Sequence, residues 1–159
     1  RSIFTFSTSA LTSDATISSA KVSLWTSSKA NDGGSSPFHV CASTPSANNN
    51  LQNSDYGQLG ATSFGSVAYA DIPSGDTAYT DWTLNASGIS SISKTGITKI
   101  GARIGWDIDN STTGFSWSAY ASCYDNIYYA DSTGTTKDPK LTIEYTLPAT
   151  TGGNFLMLF

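Results

Sequence analysis

Residues that could do chemistry are few in this 159-residue sequence, and they form no recognisable catalytic motif. The single histidine, His39, occurs without a Gly-x-Ser-x-Gly nucleophile motif. Together with Cys41 and Cys123 it supplies too few ligands for a closed zinc site. Glycosidases need two carboxylates across one cleft, and the 12 acidic residues show no such local pairing. We therefore predict a protein that is not an enzyme, with no catalytic residues and no organic cofactor.

One short segment carries the oxygen ligands that calcium prefers. Asp107, Asp109 and Asn110 follow an alternating segment and lead into a turn. Side-chain oxygens at alternate positions can bind calcium, although the segment lacks the EF-hand spacing. The alternative is a plain turn rich in Asp and Asn. A calcium ion held here would be structural.

Aromatic side chains provide a second candidate site. The side chains expected to point outward, because they oppose the apolar phase of their strands, are Trp25, Tyr120, Tyr124 and Tyr128. Those expected to pack inside are Trp82, Trp106 and Trp117. Exposed aromatic rings can stack on the C–H faces of sugars. They also serve contacts between subunits, so the pattern leaves glycan binding and assembly both open.

Two kinds of covalent modification fit the sequence. Cys41 and Cys123 could form a disulfide, or they could remain two free buried thiols. Asn85 and Asn110 begin Asn-x-Ser/Thr sequences, which are acceptors for N-glycosylation in an appropriate host.

The charge pattern excludes several classes of partner. Charged residues make up 13% of the chain, the net charge is −4, and the eight Lys and Arg residues form no basic stripe. Such a chain is unsuited to nucleic acid or to an anionic membrane surface. No apolar run approaches the roughly 18 residues of a membrane span. With abundant Ser, Thr and aromatic residues, the composition favours an extracellular, cell-surface or virion-surface protein.

Apolar and polar residues alternate with period two in several segments, which is typical of β-strands with one buried face. The clearest are residues 20–25, 98–108, 115–122 and 140–146. Residues 85–96 instead have apolar positions three apart, a capping residue first and a glycine last, which predicts a short helix. Seven or eight short strands separated by turns predict an all-β fold, an antiparallel two-sheet sandwich resembling a jelly roll.

The chain divides into three parts. Residues 1–146 are predicted to form the sandwich domain, and residues 147–153 a flexible linker. Residues 154–159 are predicted to form an apolar C-terminal strand, which could complete its own domain or the domain of another copy. The residues expected to make that contact are Phe155, Leu156, Met157, Leu158 and Phe159.

Four segments of the sequence carry a resemblance to a known family. They are residues 1–11 (RSIFTFSTSAL), 15–24 (ATISSAKVSL), 81–85 (DWTLN) and 138–145 (DPKLTIEY). Together they resemble DNRLRE-type domains, β-sandwich modules of cell-surface, carbohydrate-associated and phage-associated proteins. The resemblance implies further strands before residue 1. We therefore expect either that these strands lie outside this sequence or that a neighbouring molecule supplies one.

Two functions follow as expectations. The first is a non-enzymatic structural or adhesive protein, a subunit of an extracellular filament, coat or fibre that assembles with copies of itself by strand complementation. The alternative is a carbohydrate-binding module of a secreted or phage protein, with a surface glycan as its partner.

Overall fold

The computed structural model describes residues 1–148, which form two antiparallel β-sheets. The strands are β1 (Ser2–Ser7), β2 (Thr16–Asn31), β3 (Phe38–Ser43), β4 (Leu59–Val67), β5 (Tyr79–Thr83), β6 (Ile97–Ile104), β7 (Cys123–Ile127) and β8 (Lys140–Thr146). The helices are α1 (Ala86–Ser90) and α2 (Gly105–Ile108), with 3₁₀ turns at Ser9–Leu11, Asn53–Gly57 and Tyr69–Asp71. The predicted all-β, two-sheet sandwich is confirmed.

Strand order defines the two sheets. The first sheet has the order β1-β6-β3-β4, and the second has the order β5-β2-β7 with β8 also paired to β2. Val22 on β2 pairs with Trp82 of β5 and with Leu141 of β8, so these two strands flank β2. The later half of β2 pairs with β7 after a register shift between Thr26 and Ser28.

The hydrophobic core lies between the sheets. Val22 and Leu24 on β2 face Val40 on β3 and Ile100 on β6, and all four side chains are almost completely buried. Trp82 joins them, and its indole Nε1 donates a hydrogen bond of 2.9 Å to the carbonyl of Phe38. Burying one such side chain stabilises a fold by about 1.5–3 kcal/mol, so this alternation drives the sheets together.

One side of the sandwich is closed by direct contact between backbones. The amide of Asn85, just after β5, donates a 2.7 Å hydrogen bond to the carbonyl of Phe64 on β4. A Cβ atom at Gly65 would overlap the carbonyl oxygen of Thr83, so only glycine allows this approach. The two sheets therefore meet at β4 and β5.

The opposite side, which we call the open side, is formed by β1 and by β8 with β7. Among the described residues, β1 pairs only with β6, and β7 and β8 pair only with β2, so one edge of each strand has no partner strand. Leu141 and Ile143 of β8 pack against the core but are only half-buried, and Tyr145 is exposed. Residues 1–148 thus cover the core incompletely on this side.

Two segments predicted as strands differ in the structure. Residues 98–108 alternate between apolar and polar types throughout, but the strand β6 ends at Ile104. The last four of these residues form α2. Residues 115–122 form an irregular loop, so the strand predicted there is wrong. The loop bonds instead to the turn after β2: Ser116 N donates to Gly33 O (2.6 Å), and Asp32 N donates to Ser122 O (2.9 Å).

The helix predicted within residues 85–96 is present as α1, although it is shorter than predicted. Asn85 is its N-cap, and the side-chain oxygen accepts a 3.0 Å hydrogen bond from the amide of Gly88. Within residues 1–148, no helix is long and apolar enough to cross a membrane.

Candidate functional site

The residues predicted to bind calcium, Asp107, Asp109 and Asn110, have different surroundings. Arg1 donates to both carboxylate oxygens of Asp107, at 2.8 and 2.6 Å, and Arg103 donates to one of them at 2.6 Å. The hydrogen bond from Arg1 is the largest cause of the lowered pKa of Asp107, with Arg103 adding to it. Asp109 and Asn110 are exposed in the following turn. Asp107 is therefore engaged by two guanidinium groups in this structure, and calcium binding at this segment stays a prediction.

A search of residues 1–148 finds no group of three or more His, Cys, Asp or Glu side chains placed to hold a metal ion. The Arg1–Asp107–Arg103 network has a different effect. It ties the N-terminal residue to β6 and α2, and Arg1 also donates to the carbonyl of Tyr56. These contacts fix the outer face of the first sheet.

The four aromatic residues predicted to contact glycans do not form one cluster. Trp25 and Tyr128 pack around Asp76, to which the Trp25 indole donates at 2.6 Å and the Tyr128 hydroxyl at 3.3 Å. A hydrogen bond from Lys137 is the largest cause of the lowered pKa of Asp76. Trp25 and Tyr128 therefore form a polar cluster whose hydrogen-bonding groups are already occupied.

The other two predicted glycan-binding residues lie outside that cluster. Tyr124 lies on β7, and 40% of its surface is exposed. Tyr120 lies in the loop between α2 and β7 and is almost fully exposed. Neither makes a ring contact with Trp25 or Tyr128 among the aromatic pairs of the described chain. The structure thus brings together only two of the four.

A different aromatic surface, which we call the aromatic platform, consists of Trp106, Phe115 and Trp117. The ring centroids of Trp106 and Phe115 are 4.9 Å apart and those of Phe115 and Trp117 are 4.5 Å apart, both edge to face. Trp82 is buried as predicted, whereas Trp106 is only half-buried and Trp117 is 79% exposed. The expectation that Trp117 packs inside is therefore wrong.

The platform borders a groove of about 330 Å³. The residues lining this groove are Ile104, Trp106, Asp107, Thr112, Phe115, Trp117 and Cys123. The Trp106 indole donates a 3.0 Å hydrogen bond to the carbonyl of Thr113, which fixes that ring. Phe115 packs directly over Gly33, where a Cβ atom would overlap its ring. The platform is thus held by contacts from two loops.

A second cavity, which we call the open-side cleft, lies between the sheets and has a volume of about 550 Å³. Leu24, Trp82 and Ile127 supply its apolar surface. Asp125 of β7 also lines it, and burial is the main cause of the raised pKa of this carboxyl. Tyr129 lies at the edge of β1, where its hydroxyl is 3.2 Å from Ser2 Oγ. The cleft therefore combines an apolar interior with polar groups at its margin.

The two cysteines are free, so the disulfide alternative is corrected in favour of two thiols. Cys41 is fully buried on the outer face of the first sheet, in a small cluster with Ile3, Leu59 and Ile108. Burial raises its pKa to about 11. Cys123 starts β7 in the second sheet and lines both the cleft and the groove. The two residues belong to different sheets and different surroundings.

The predicted glycosylation residues are both exposed. Besides capping α1, the side-chain amide of Asn85 donates a 2.9 Å hydrogen bond to the carbonyl of Ser63. Asn110 lies in the turn after α2 with φ of 49°. Nothing in the geometry favours modification of Asn85, because its amide is already used.

The apolar C-terminal residues 154–159, and the linker from residue 149, lie outside the described residues. No protein-family model matches this sequence, and neither curated proteins nor solved structures show a match to it. The resemblance to DNRLRE-type domains therefore stays a prediction.

Proposed function

We propose that this protein is a non-enzymatic structural or adhesive subunit of an extracellular filament, coat or fibre, in which residues 154–159 of one copy dock as a strand on the open side of the next. The observation that carries the proposal concerns residues 1–148, within which one edge of β1 and one edge of β7 with β8 have no partner strand beside an apolar cleft. An extracellular or virion surface suits the low charged fraction of 13%.

The chemistry of the open side suits an extended apolar segment. Unpaired edges of strands offer amide and carbonyl groups to an added strand, and the neighbouring cleft offers space for its side chains. Five of the six residues in 154–159 are apolar. A six-residue strand spans about 20 Å, which is comparable to the seven-residue strand β8.

The end of the cleft near Cys123, but not the part lined by Leu24 and Trp82, favours a segment from a second copy. β8 ends at Thr146, which pairs with Thr16 at the start of β2, whereas Cys123 pairs with Asn31 at its end. Fifteen residues of strand separate these levels by about 50 Å, and the ten residues from 147 to 156 span at most about 35 Å. Leu156 therefore cannot reach Cys123 of the same chain. Leu156 of a neighbouring copy can reach it, because it is not tied to the end of this copy's β8.

Disulfide trapping of the full chain tests the proposal. We expect Leu156→Cys to oxidise with the native Cys123 and to give covalent dimers and higher species on a non-reducing denaturing gel. Ser13→Cys is the matched control, because Ser13 is exposed near the opposite end of β2. Adding Cys123→Ser to Leu156→Cys should abolish the dimers formed through the cleft.

Electron microscopy and light scattering supply the second measurement. Deletion of residues 154–159 should leave a folded monomer, whereas the full chain should form regular fibres or oligomers. A full chain that stays monomeric at high concentration would refute the proposal. The same conclusion would follow if Leu156→Cys cross-linked no more than Ser13→Cys.

A further inference from the structure

We infer that the aromatic platform of Trp106, Phe115 and Trp117 is a binding site for a neutral glycan, with a pyranose ring stacked on Trp117. This inference is independent of the proposed strand docking, because it concerns the loop between α2 and β7 and not the open edges. It also assigns sugar binding to residues other than Trp25, Tyr120, Tyr124 and Tyr128.

The first argument is the unusual exposure of Trp117. Large aromatic side chains gain most when they are buried, yet this indole is 79% exposed. Its contact with Phe115 is edge to face, at an interplanar angle of 65°, and therefore leaves indole surface free. An exposed indole face is the surface on which the C–H groups of a sugar ring stack.

The second argument is that two rings of the platform, Phe115 and Trp106, are already held in place and that Trp117 packs on the first of them. Phe115 is fixed over Gly33, and the amide of the next residue, Ser116, donates to the Gly33 carbonyl at 2.6 Å. The amide of Ser111 donates to the carbonyl of Trp106 at 3.0 Å. A site that needs no ordering on binding loses less entropy, which favours the weak individual contacts that sugars make.

The third argument is the polarity of the groove. Thr112 lines the groove, and the hydroxyls of Ser111 and Thr113, 3.0 Å apart, lie on the same loop. Such groups can pair with sugar hydroxyls. Among the described residues, the only charged one that lines the groove is Asp107, and its carboxylate is paired with Arg1 and Arg103. Residues 1–148 therefore offer no free cation in the groove for an anionic sugar, which favours a neutral one.

The size of the groove also suits a sugar. Its volume of about 330 Å³ is at the lower end of ligand pockets, which are roughly 300–1,000 Å³. That space accommodates a ring and its substituents, with the rest of a polysaccharide extending into solvent. A contact with another protein surface is the competing occupant, and the experiment distinguishes it.

The test is affinity electrophoresis of the full chain in gels that contain hydroxyethyl cellulose, galactomannan or arabinoxylan, with alginate as the anionic comparison. We expect retardation by at least one neutral polysaccharide. Trp117→Ala should weaken that binding about tenfold while its melting temperature stays near that of the parent, because the side chain is exposed. Tyr124→Ala is the matched control on another surface and should bind like the parent.

Three results would overturn the inference. The first is no retardation by any of the neutral polysaccharides, and the second is retardation by alginate alone. The third is equal weakening by Trp117→Ala and Tyr124→Ala. If Trp117→Ala instead lowers the oligomeric state in light scattering and no neutral glycan binds, the platform is a subunit contact. If Leu156→Cys gave no specific cross-link, the proposed strand docking would fail, but the glycan inference would be unaffected.

Discussion

Neutralising Asp107 tests whether the ion-pair network on the outer face of the first sheet stabilises the fold. In Asp107→Asn, the side chain keeps its shape but loses the charge that faces Arg1 and Arg103. Arg103 is only 8% exposed, so its guanidinium would lose its charged partner in a largely desolvated place. We expect the free energy of unfolding to fall.

The size of the loss lies between two limits. Breaking a buried ion pair costs about 3–5 kcal/mol, whereas an exposed pair contributes about 0–1 kcal/mol. The Asp107 side chain is 27% exposed, and Arg103 retains hydrogen bonds to the carbonyls of Gly60 and Asp107. We therefore expect a loss of about 2–3 kcal/mol. At about 2–4 °C per kcal/mol for a chain of this size, the melting temperature should fall by about 4–12 °C.

The pH dependence gives a second signature. The pKa of Asp107 is lower in the folded protein than its ordinary value, so the stabilisation is fully present above a pH of about 3.9. It is lost as the pH falls below that value towards the lower folded pKa. The stability difference between the parent and Asp107→Asn should therefore shrink by about 1.4 kcal/mol per pH unit below pH 3.9.

Urea unfolding at pH 7 and at several pH values below 4 measures both effects. Asp109→Asn is the matched control: it removes the same charge two residues later, from an exposed side chain, and should change stability by less than about 0.5 kcal/mol. Equal effects of the two substitutions at pH 7 would refute the reasoning. So would a difference between the parent and Asp107→Asn that does not change with pH.

Three further predictions concern single positions. Gly65→Ala should destabilise the fold by about 1–3 kcal/mol in thermal unfolding, because the added Cβ atom would overlap the backbone of Thr83. Gly57→Ala is the control: the added Cβ atom there meets open space, and stability should change by less than about 0.5 kcal/mol. A thiol reagent should label Cys123 alone in the native protein and Cys41 as well after unfolding, because Cys41 is buried with a pKa of about 11; rapid labelling of both would contradict this. Burial lowers the pKa of His39, so the folded state favours the neutral ring. The parent should then lose stability relative to His39→Gln as the pH falls below about 6.5, and parallel stability curves would refute this.

The alternation of residue types predicts the sheets well where strands have one buried face. Val22 and Leu24 are buried and Lys21 and Trp25 less so, as the pattern in β2 predicts, although Ser23 on the polar phase is buried as well. The same pattern fails after Ile104, because Trp106 and Ile108 continue the spacing although the chain turns into α2. Local alternation shows which residues would share one face of a strand. It does not show whether another strand is available to pair with them.

The candidate sites depend on contacts that are distant in sequence. From its sequence neighbours, Asp107 resembles a calcium ligand. The structure places Arg1, 106 residues away in the sequence, beside its carboxylate. Phe115 and Trp117 alternate with serines like a strand, yet their position follows from a bond to Gly33 on a different turn. The glycine pair at 33 and 34 signals a turn in the sequence but does not indicate which loop packs on it.

The energetics of the proposed strand docking indicate which part of residues 154–159 would decide assembly. Association costs about 4–15 kcal/mol, and about five edge hydrogen bonds at about 0.5–1.5 kcal/mol each recover only part of it. Because successive side chains of a strand face opposite sides, two or three of the five apolar side chains of residues 155–159 would enter the cleft, and burying them would contribute about 3–9 kcal/mol. Completing the burial of Leu141 and Ile143 would add less, because both are already half-buried. The proposed strand docking would therefore depend on the side chains of the segment as well as on its backbone. Replacing Leu156 and Leu158, which share the strand face that the cross-link to Cys123 tests, with serine should weaken assembly markedly.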